Sequence, residues 1–566
     1  MRELVARLFG RPVIGIEIIA CTFLSNVLAL ATPLFVMTVL RRYVGQGVDA
    51  TLITLTTGAL MAAFMEFVFT QIRAKLAQGL SLAPDRRMGL EGFEILTQAK
   101  VAALDRVPPG KRQEIVGGVA AVETAYSASN ITSVLDVPFA FLFVGVLFLL
   151  SPLIGFIVLF FLAIVFFGGT MGAGAMKGDT QKLTDASAMS SSLVGTAIRE
   201  VETVRAFNAG DFMRRAWLSQ LDKTQALRRR INWLQGFTQT ITKSTTGVMS
   251  ITVITIAAVL VVAGDLDVGT MIACNILGAR ALQPVSRFAQ LGSTFAKARE
   301  ALVLLEEFVK LPLEPESGSA KAKYNGGLEL RDLAFMYPES SGPLFESLSL
   351  KLQPGSLLLV TGSNGTGKTT LARLLVGIME PVRGQVLADG LDLNQVAPEW
   401  WRRQIVYMPQ EPAFLNATIE ENLRLANPDI DMDTLNRIVT AAGLREFIDE
   451  SPNNFETLIT DNGRQLAMGI RRRLALARAL ASDGTLAIFD EPLEGMDAEG
   501  SEAVRTVIGQ LASRRRTIIV LAHNPNIVRG AHAHIDLNVK PTPEVTILRE
   551  AQKSESATPP DTEAAQ

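Results

Sequence analysis

A chain of 566 residues is too long for one ordinary domain, and 48% of it is apolar while 19% is charged. With 54 Lys and Arg against 56 Asp and Glu, the net charge of −2 offers no bulk attraction for nucleic acid. The two cysteines, Cys21 and Cys274, both sit in apolar stretches and indicate no disulfide framework.

In chain order, residues 1–10 are short and mildly basic, and the apolar stretch behind them exceeds a signal-peptide core and lacks a small-residue cleavage site. It is expected to be retained. Six stretches approach the roughly 20 residues that cross a bilayer: 14–40, 52–72, 131–150, 153–173, 246–264 and 268–288, the last being the least apolar. The third and fourth meet at Ser151-Pro152, and the fifth and sixth at Gly264-Asp265-Leu266-Asp267. The long polar segments after spans two and four are rich in Lys and Arg, including Arg73, Lys75, Arg86, Arg87, Arg228, Arg229 and Arg230. The two tight turns carry none. Positive charge favours the cytoplasmic side, so both long segments and both termini are expected there. Helical spacing at Leu193, Ala197, Val201 and Val204 predicts that these segments prolong the spanning helices. Three acidic residues fall in or near spans. Glu17 and Asp136 lie near span ends, where pairing with a basic neighbour explains them; Glu66 is open between that role and lining a polar path.

Residues 311–325 form a Pro-containing polar linker, after which the chain reads as a soluble α/β region over 326–548, followed by a Ser/Thr/Pro/Glu-rich tail at 549–566 expected to be disordered. Within the α/β region, the apolar run Leu357–Val360 leads into Gly362-Ser363-Asn364-Gly365-Thr366-Gly367-Lys368-Thr369, and a helical pattern follows from Thr370. Strand, glycine loop and helix start appear in the order a triphosphate cradle needs. Glycines tolerate the turn that aims backbone N–H groups at phosphates, Lys368 supplies a point charge, and Thr369 can hold Mg²⁺. Downstream, the strand-like Leu486–Phe489 ends in Asp490-Glu491. The first carboxylate is placed to hold Mg²⁺ and the second to orient an attacking water. His523 follows another apolar strand, Ile518–Ala522, where it either contacts a terminal phosphate or is an ordinary loop histidine.

Taken together, these motifs resemble the ATPase domain of ABC transporters. The resemblance implies that Tyr337, in Phe335-Met336-Tyr337-Pro338, stacks on adenine, and that Gly362–Thr370 is the Walker A loop. It makes Gln410, in Tyr407-Met408-Pro409-Gln410, the Q-loop glutamine that touches Mg²⁺, with Asp490 as Walker B and Glu491 as the catalytic glutamate. Asp497 resembles the D-loop aspartate and His523 the switch histidine. The membrane half is similar to exporter subunits with six helices ahead of the ATPase. Segments such as Ala29–Phe35, Leu135–Phe139 and Ile272–Leu277 resemble the type 1 secretion subgroup, and Glu200–Phe207 resembles the segment near the second coupling helix. With no room before residue 14 for a peptidase-like domain, the shorter protease-exporter type is the nearer match.

The family signature Leu-Ser-Gly-Gly-Gln is altered to Leu466-Ala467-Met468-Gly469-Ile470. In the family this stretch of one subunit contacts the γ-phosphate held by the other. Here the hydroxyl is gone and Met468 adds bulk. The expectation is therefore a dimer: either a heterodimer whose partner completes this chain's Walker face, or a slow homodimer relying on Gly469 and the helix behind it. The resemblance further implies ATP and Mg²⁺, an inner-membrane location with a cytoplasmic ATPase, a periplasmic adaptor, an outer-membrane channel and an exported polypeptide. Export of a peptide, lipid or small molecule, or an ATP-binding regulatory membrane protein with little hydrolysis, are the alternatives.

Overall fold

The computed structural model describes residues 2–548 except 46, 48, 316, 317, 319–322, 339 and 341, so the expected tail and much of the expected linker lie outside the described residues. The chain divides into two compact units, the first of residues 1–99 and 103–312 and the second of residues 100–102 and 313–566.

The first unit is helical. Among the described residues, five of its helical segments are long and apolar enough to cross a membrane: Pro12–Val44, Thr51–Gln98, Ala128–Leu150, Pro152–Arg199 and Gly210–Val262. The first is not continuous. Helix Pro12–Leu28 gives way to Ala31–Thr38 and a π-helical turn at Val39–Val44. Pro33 supplies the reason, since its missing N–H and its ring remove a helical bond to residue 29. The sixth stretch is the 23-residue helix Val268–Gln290. It carries Arg280 and Arg287 and is less apolar, yet Cys274, Leu277, Ala281 and Leu282 on it are fully buried among Leu147, Ile154, Val158, Met249 and Val253. A helix surrounded by protein needs less lipid-facing apolar surface than its neighbours. Small residues permit that closeness: a Cβ on Gly169 would stand 2.3 Å from the Cβ of Ala289.

Helices Asp49–Gln98 (50 residues), Pro152–Arg199 (48) and Gly210–Val262 (53) each run about 75 Å, more than twice a bilayer core of about 30 Å. The basic segments are therefore helical continuations of the spans. Two of the acidic residues have partners. Arg73 donates to Asp136 at 2.5 Å and Asn26 donates to the same oxygen at 3.0 Å. Arg280 donates to Glu66 at 3.2 Å. Pairing removes the large penalty of a lone charge away from water.

Among the described residues, the second unit holds ten strands in two sheets: β1 (Leu328–Phe335), β2 (Phe345–Leu352), β3 (Leu357–Thr361), β4 (Arg383–Ala388), β5 (Leu391–Asp392), β6 (Ile405–Met408), β7 (Leu486–Asp490), β8 (Thr517–Ala522), β9 (Ala533–Asp536) and β10 (Glu544–Ile547). The smaller sheet is antiparallel in the order β2-β1-β4-β5, and the larger runs β10-β9-β3-β8-β7-β6, parallel except for β10. Every residue of β3, β7 and β8 is buried, as continuous apolar runs in a parallel sheet covered on both faces require. Alternation sends Leu358, Val360, Ile488, Ile519 and Leu521 toward the helix Lys368–Leu375. It sends Val406, Phe489, Ile518 and Val520 toward helices Met468–Leu480 and Ala498–Ser513.

Candidate functional site

β8 lies between β3 and β7, with Thr361 opposite Ala522 and Asp490 opposite Leu521. This register brings three chain segments to one carboxyl edge of the sheet: the glycine loop after β3, Asp490-Glu491 closing β7, and His523 after β8. Open parallel sheets bind ligands at such an edge.

In the loop, Gly367 has φ of 109°, a left-handed conformation that a side chain resists, and a Cβ there would also strike Leu344 at 2.7 Å. The loop is braced from outside. Asn538 Oδ1 accepts from the N–H and hydroxyl of Ser363, each at 2.9 Å, and the Thr366 hydroxyl donates to the Ser363 carbonyl at 2.9 Å. Lys540 Nζ donates to the Thr366 carbonyl at 2.8 Å. Asn364 and Gly365 stay exposed. Lys368 is buried, donates to the carbonyls of Gly362 (2.6 Å) and Ser363 (3.1 Å), and pairs with Glu491 Oε1 at 3.1 Å. A buried ammonium needs such partners, and phosphate oxygens are the natural competitors for them.

Glu491 has φ of 47° and so sits in a region that non-glycine residues rarely occupy. Its Oε2 accepts from the His523 backbone N–H at 3.2 Å, while the His523 ring Nδ1 lies 3.4 Å from the Gly362 carbonyl. One carboxylate thus links the loop lysine to the strand that carries the histidine.

Asp490 is fully buried, and no group among the described residues makes a hydrogen bond to either of its carboxylate oxygens. Burial pushes its carboxyl up to about 6, and the Glu491 charge adds to the rise. The nearby Thr369 hydroxyl, Lys368 and Arg373 pull the other way. The Thr369 proton is directed to Gln410 Oε1 at 3.0 Å, which leaves Asp490 without a true donor. A buried, unpartnered carboxylate beside a hydroxyl and an amide oxygen fits a hard cation. Among the described residues no group of three His, Cys, Asp or Glu side chains is placed to hold a metal ion, and Mg²⁺ commonly takes one or two carboxylates with phosphate and water oxygens for the rest.

The raised carboxyl has a direct consequence. The folded chain holds the Asp490 proton more tightly than the unfolded chain does. Ionising it therefore weakens the nucleotide-free fold progressively from about pH 4 to 6, and the penalty stays constant above pH 6. Two units of pKa correspond to about 3 kcal/mol. Asp490→Asn is expected to raise the melting temperature of the nucleotide-free protein above pH 6, to lose that gain toward pH 4, and to abolish the extra stability conferred by Mg²⁺ with ATP. Melting curves across this range check it; an unchanged or lowered melting temperature at pH 7 contradicts it.

Of the remaining sequence candidates, Tyr337 touches the loop helix, while Ala467, Met468 and Asp497 belong to the starts of two other helices. The Tyr337 hydroxyl meets the Thr370 hydroxyl at 2.9 Å, and its ring packs edge-on against Phe335 at 5.0 Å, beside the start of the loop helix. Ala467 is the N-cap of helix Met468–Leu480, with φ −54° and ψ 144° and no side-chain cap. Met468 is half exposed, and its Cγ would lie 3.3 Å from a Cβ on Gly495. Asp497 stands at the start of the next helix. It caps helix Ala498–Ser513 through the Gly500 N–H at 2.8 Å, and Arg473 donates to it at 2.6 and 2.7 Å, holding its carboxyl below the usual range. Its bonds do not reach the glycine loop.

Two profiles cover most of the chain. One described as ABC transporter transmembrane region matches residues 15–283, and one described as ABC transporter matches residues 345–494. The chain belongs to the ABC transporters. It is a multi-pass membrane protein with the membrane and ATPase regions of a half-transporter on one polypeptide, and its ATPase is coupled to transport. The transporter is 27% identical over 519 residues to the toxin RTX-I translocation ATP-binding protein of Actinobacillus pleuropneumoniae, covering 92% of this chain and 73% of that one. It is 26% identical, with the same coverage, to the alpha-hemolysin translocation ATP-binding protein of Escherichia coli. The fold is that of a bacterial Atm1-family ABC exporter solved with ATP bound, with a TM-score of 0.80 at 18% identity over 94% of both chains.

Sequence reasoning missed four residues of this transporter's site. Asn538 and Lys540 brace the loop but carry no motif. Arg472 and Glu494 lie inside recognised stretches, yet their partners stand far away in sequence. Arg472 donates to the Glu491 carbonyl at 2.8 Å, and Glu494 accepts from Gln410 at 3.0 Å.

Proposed function

We propose that this chain drives export of a polypeptide across the inner membrane, as one half of a dimeric type 1 secretion-like transporter with its ATPase region, residues 326–548, in the cytoplasm and residues 1–310 in the membrane. The observation that carries the ATPase part is the convergence of Lys368, Asp490, Glu491 and His523 at one sheet edge. Similarity to toxin translocation proteins over 92% of the chain supports the polypeptide cargo.

In this reading the loop N–H groups and Lys368 hold the phosphates, Tyr337 faces the base, and the Lys368–Glu491 pair opens as nucleotide enters. Glu491, released from lysine, orients the attacking water, and His523 contacts the terminal phosphate. Thr369, Gln410 and Asp490 would hold Mg²⁺, which when bound would supply charge neutralisation at the transferred phosphoryl group. Ala467, Met468 and Gly469 face the partner's nucleotide, and Asp497 keeps the next helix in register. Closure around two nucleotides moves the helical extensions and reorients the spans. A periplasmic adaptor and an outer-membrane channel complete the route.

The uncapped helix start at Ala467 favours a second element, a heterodimer in which a partner with an intact signature completes this chain's Walker face. The test is export in cells. Secretion of a reporter polypeptide ending in a type 1 signal is expected to require this chain, its Lys368 and an adaptor and channel. Reporter retained inside the cell with all four and the partner chain present overturns the cargo assignment, while ATP-dependent uptake of a small molecule or lipid by inside-out vesicles supports the alternative.

A further inference from the structure

The Gln410 amide is held from both ends. Its Oε1 accepts from the Thr369 hydroxyl at 3.0 Å, and its Nε2 donates to Glu494 Oε2 at 3.0 Å. An amide can present either its oxygen or its nitrogen to a site, and its neighbours decide which. Thr369 does not decide, because a hydroxyl both donates and accepts. Glu494 does. An ionised carboxylate only accepts, so it draws the Nε2 and turns the Oε1 toward Thr369. The reverse orientation would set an NH₂ where a hard cation needs oxygen.

Glu494 is itself held. Arg472 is 4% exposed, and its Nη2 lies 3.4 Å from Glu494 Oε2 while its Nη1 donates to the Glu491 carbonyl at 2.8 Å. A surface ion pair alone would count for little. Here the guanidinium end is buried and anchored to the backbone beside Asp490. Arg472 also sits in the first turns of helix Met468–Leu480, four residues after Met468. A continuous chain of bonds therefore runs from Thr369 through Gln410 and Glu494 to the start of that helix.

We propose that Glu494 is a positioning residue. It fixes the Gln410 amide with its oxygen toward the cation position, and through Arg472 it ties that orientation to the helix whose first turn faces the partner's nucleotide. The proposal rests on reading Thr369, Gln410 and Asp490 as cation ligands.

The test uses full-length protein in detergent, a fluorescent ATP analogue and titrated Mn²⁺, with half-saturation of the Mn²⁺-dependent binding as the readout. Glu494→Ala is expected to raise the half-saturating Mn²⁺ about tenfold and to leave analogue affinity without divalent cation unchanged. Glu494→Gln keeps the shape but can donate as well as accept, and is expected to raise it two- to threefold (about 0.4–0.7 kcal/mol); Glu494→Asp is expected to restore most of the loss. In a Gln410→Glu background both ends of residue 410 are oxygen, so Glu494→Ala is expected to have no weakening effect. A merely structural role would persist there. Unchanged half-saturation in Glu494→Gln and Glu494→Ala overturns the proposal, as does equal weakening in the Gln410→Glu background. If Glu494→Ala fails to fold, the isosteric Glu494→Gln decides. Analogue binding that ignores Mn²⁺ in the unaltered protein removes the cation-site reading instead.

Discussion

Replacing Glu491 with glutamine is expected to lower ATP turnover by roughly 10²–10⁴-fold, the range typical for loss of a positioned general base, without weakening ATP binding. The first half follows from the carboxylate's place at the end of β7, held by the His523 backbone N–H at 3.2 Å. A glutamine amide keeps the shape and loses the basic oxygen. The second half is particular to this geometry. In the nucleotide-free chain Glu491 occupies Lys368 at 3.1 Å, so ATP must displace it. The neutral variant removes that competitor, and nucleotide affinity should stay level or rise. Stopped-flow binding of a fluorescent ATP analogue beside steady-state phosphate release checks both halves. A variant that hydrolyses at a normal rate would remove Glu491 from the chemistry. One that loses binding and turnover together would make it a structural member of the loop instead.

Restoring the signature should act in the opposite direction. Ala467→Ser with Met468→Gly is expected to raise the turnover of the chain purified alone by about tenfold or more. A charge-assisted hydrogen bond is worth about 1.5–3 kcal/mol, and each 1.36 kcal/mol off the barrier is a factor of about ten. Ala467 already has the extended backbone of an N-cap, so a serine hydroxyl fits without rearrangement. Met468 is half exposed at the first helical position, and in the proposed dimer its side chain would stand between the helix N–H groups and the partner's phosphate. The single substitutions apportion the gain between lost hydroxyl and added bulk. No gain from the double variant would show that the signature face does not limit turnover. Brisk hydrolysis by the unaltered chain alone would remove the argument for a heterodimer.

The intramembrane pairs follow the same logic of compensated charge. Asp136 sits near a span end with Arg73 and Asn26 as partners, the structural role its position implied. Glu66 also has a partner, Arg280, but both side chains keep a quarter to a third of their surface open. A pair that is neither sealed in protein nor spread on a surface fits both readings of that residue.

The sequence by itself determined what depends on spacing along one segment. Apolar stretches of bilayer length, basic segments between them, the glycine loop with its lysine, and strands ending in Asp490-Glu491 and His523 are all local patterns. Each reflects a nearby cause: desolvation of a helix, the backbone freedom of glycine, or burial of a parallel strand. Only the tertiary structure decided which of these meet. Inserting β8 between β3 and β7 sets Lys368 against Glu491 and leaves Asp490 buried without a partner. It also decided that Gln410 faces Glu494, that Arg472 joins them to the altered helix start, and that Asn538 braces the loop. Such contacts have no signature in spacing, because strand order is set by how two apolar faces are covered and not by any residue at the edge where the chemistry sits.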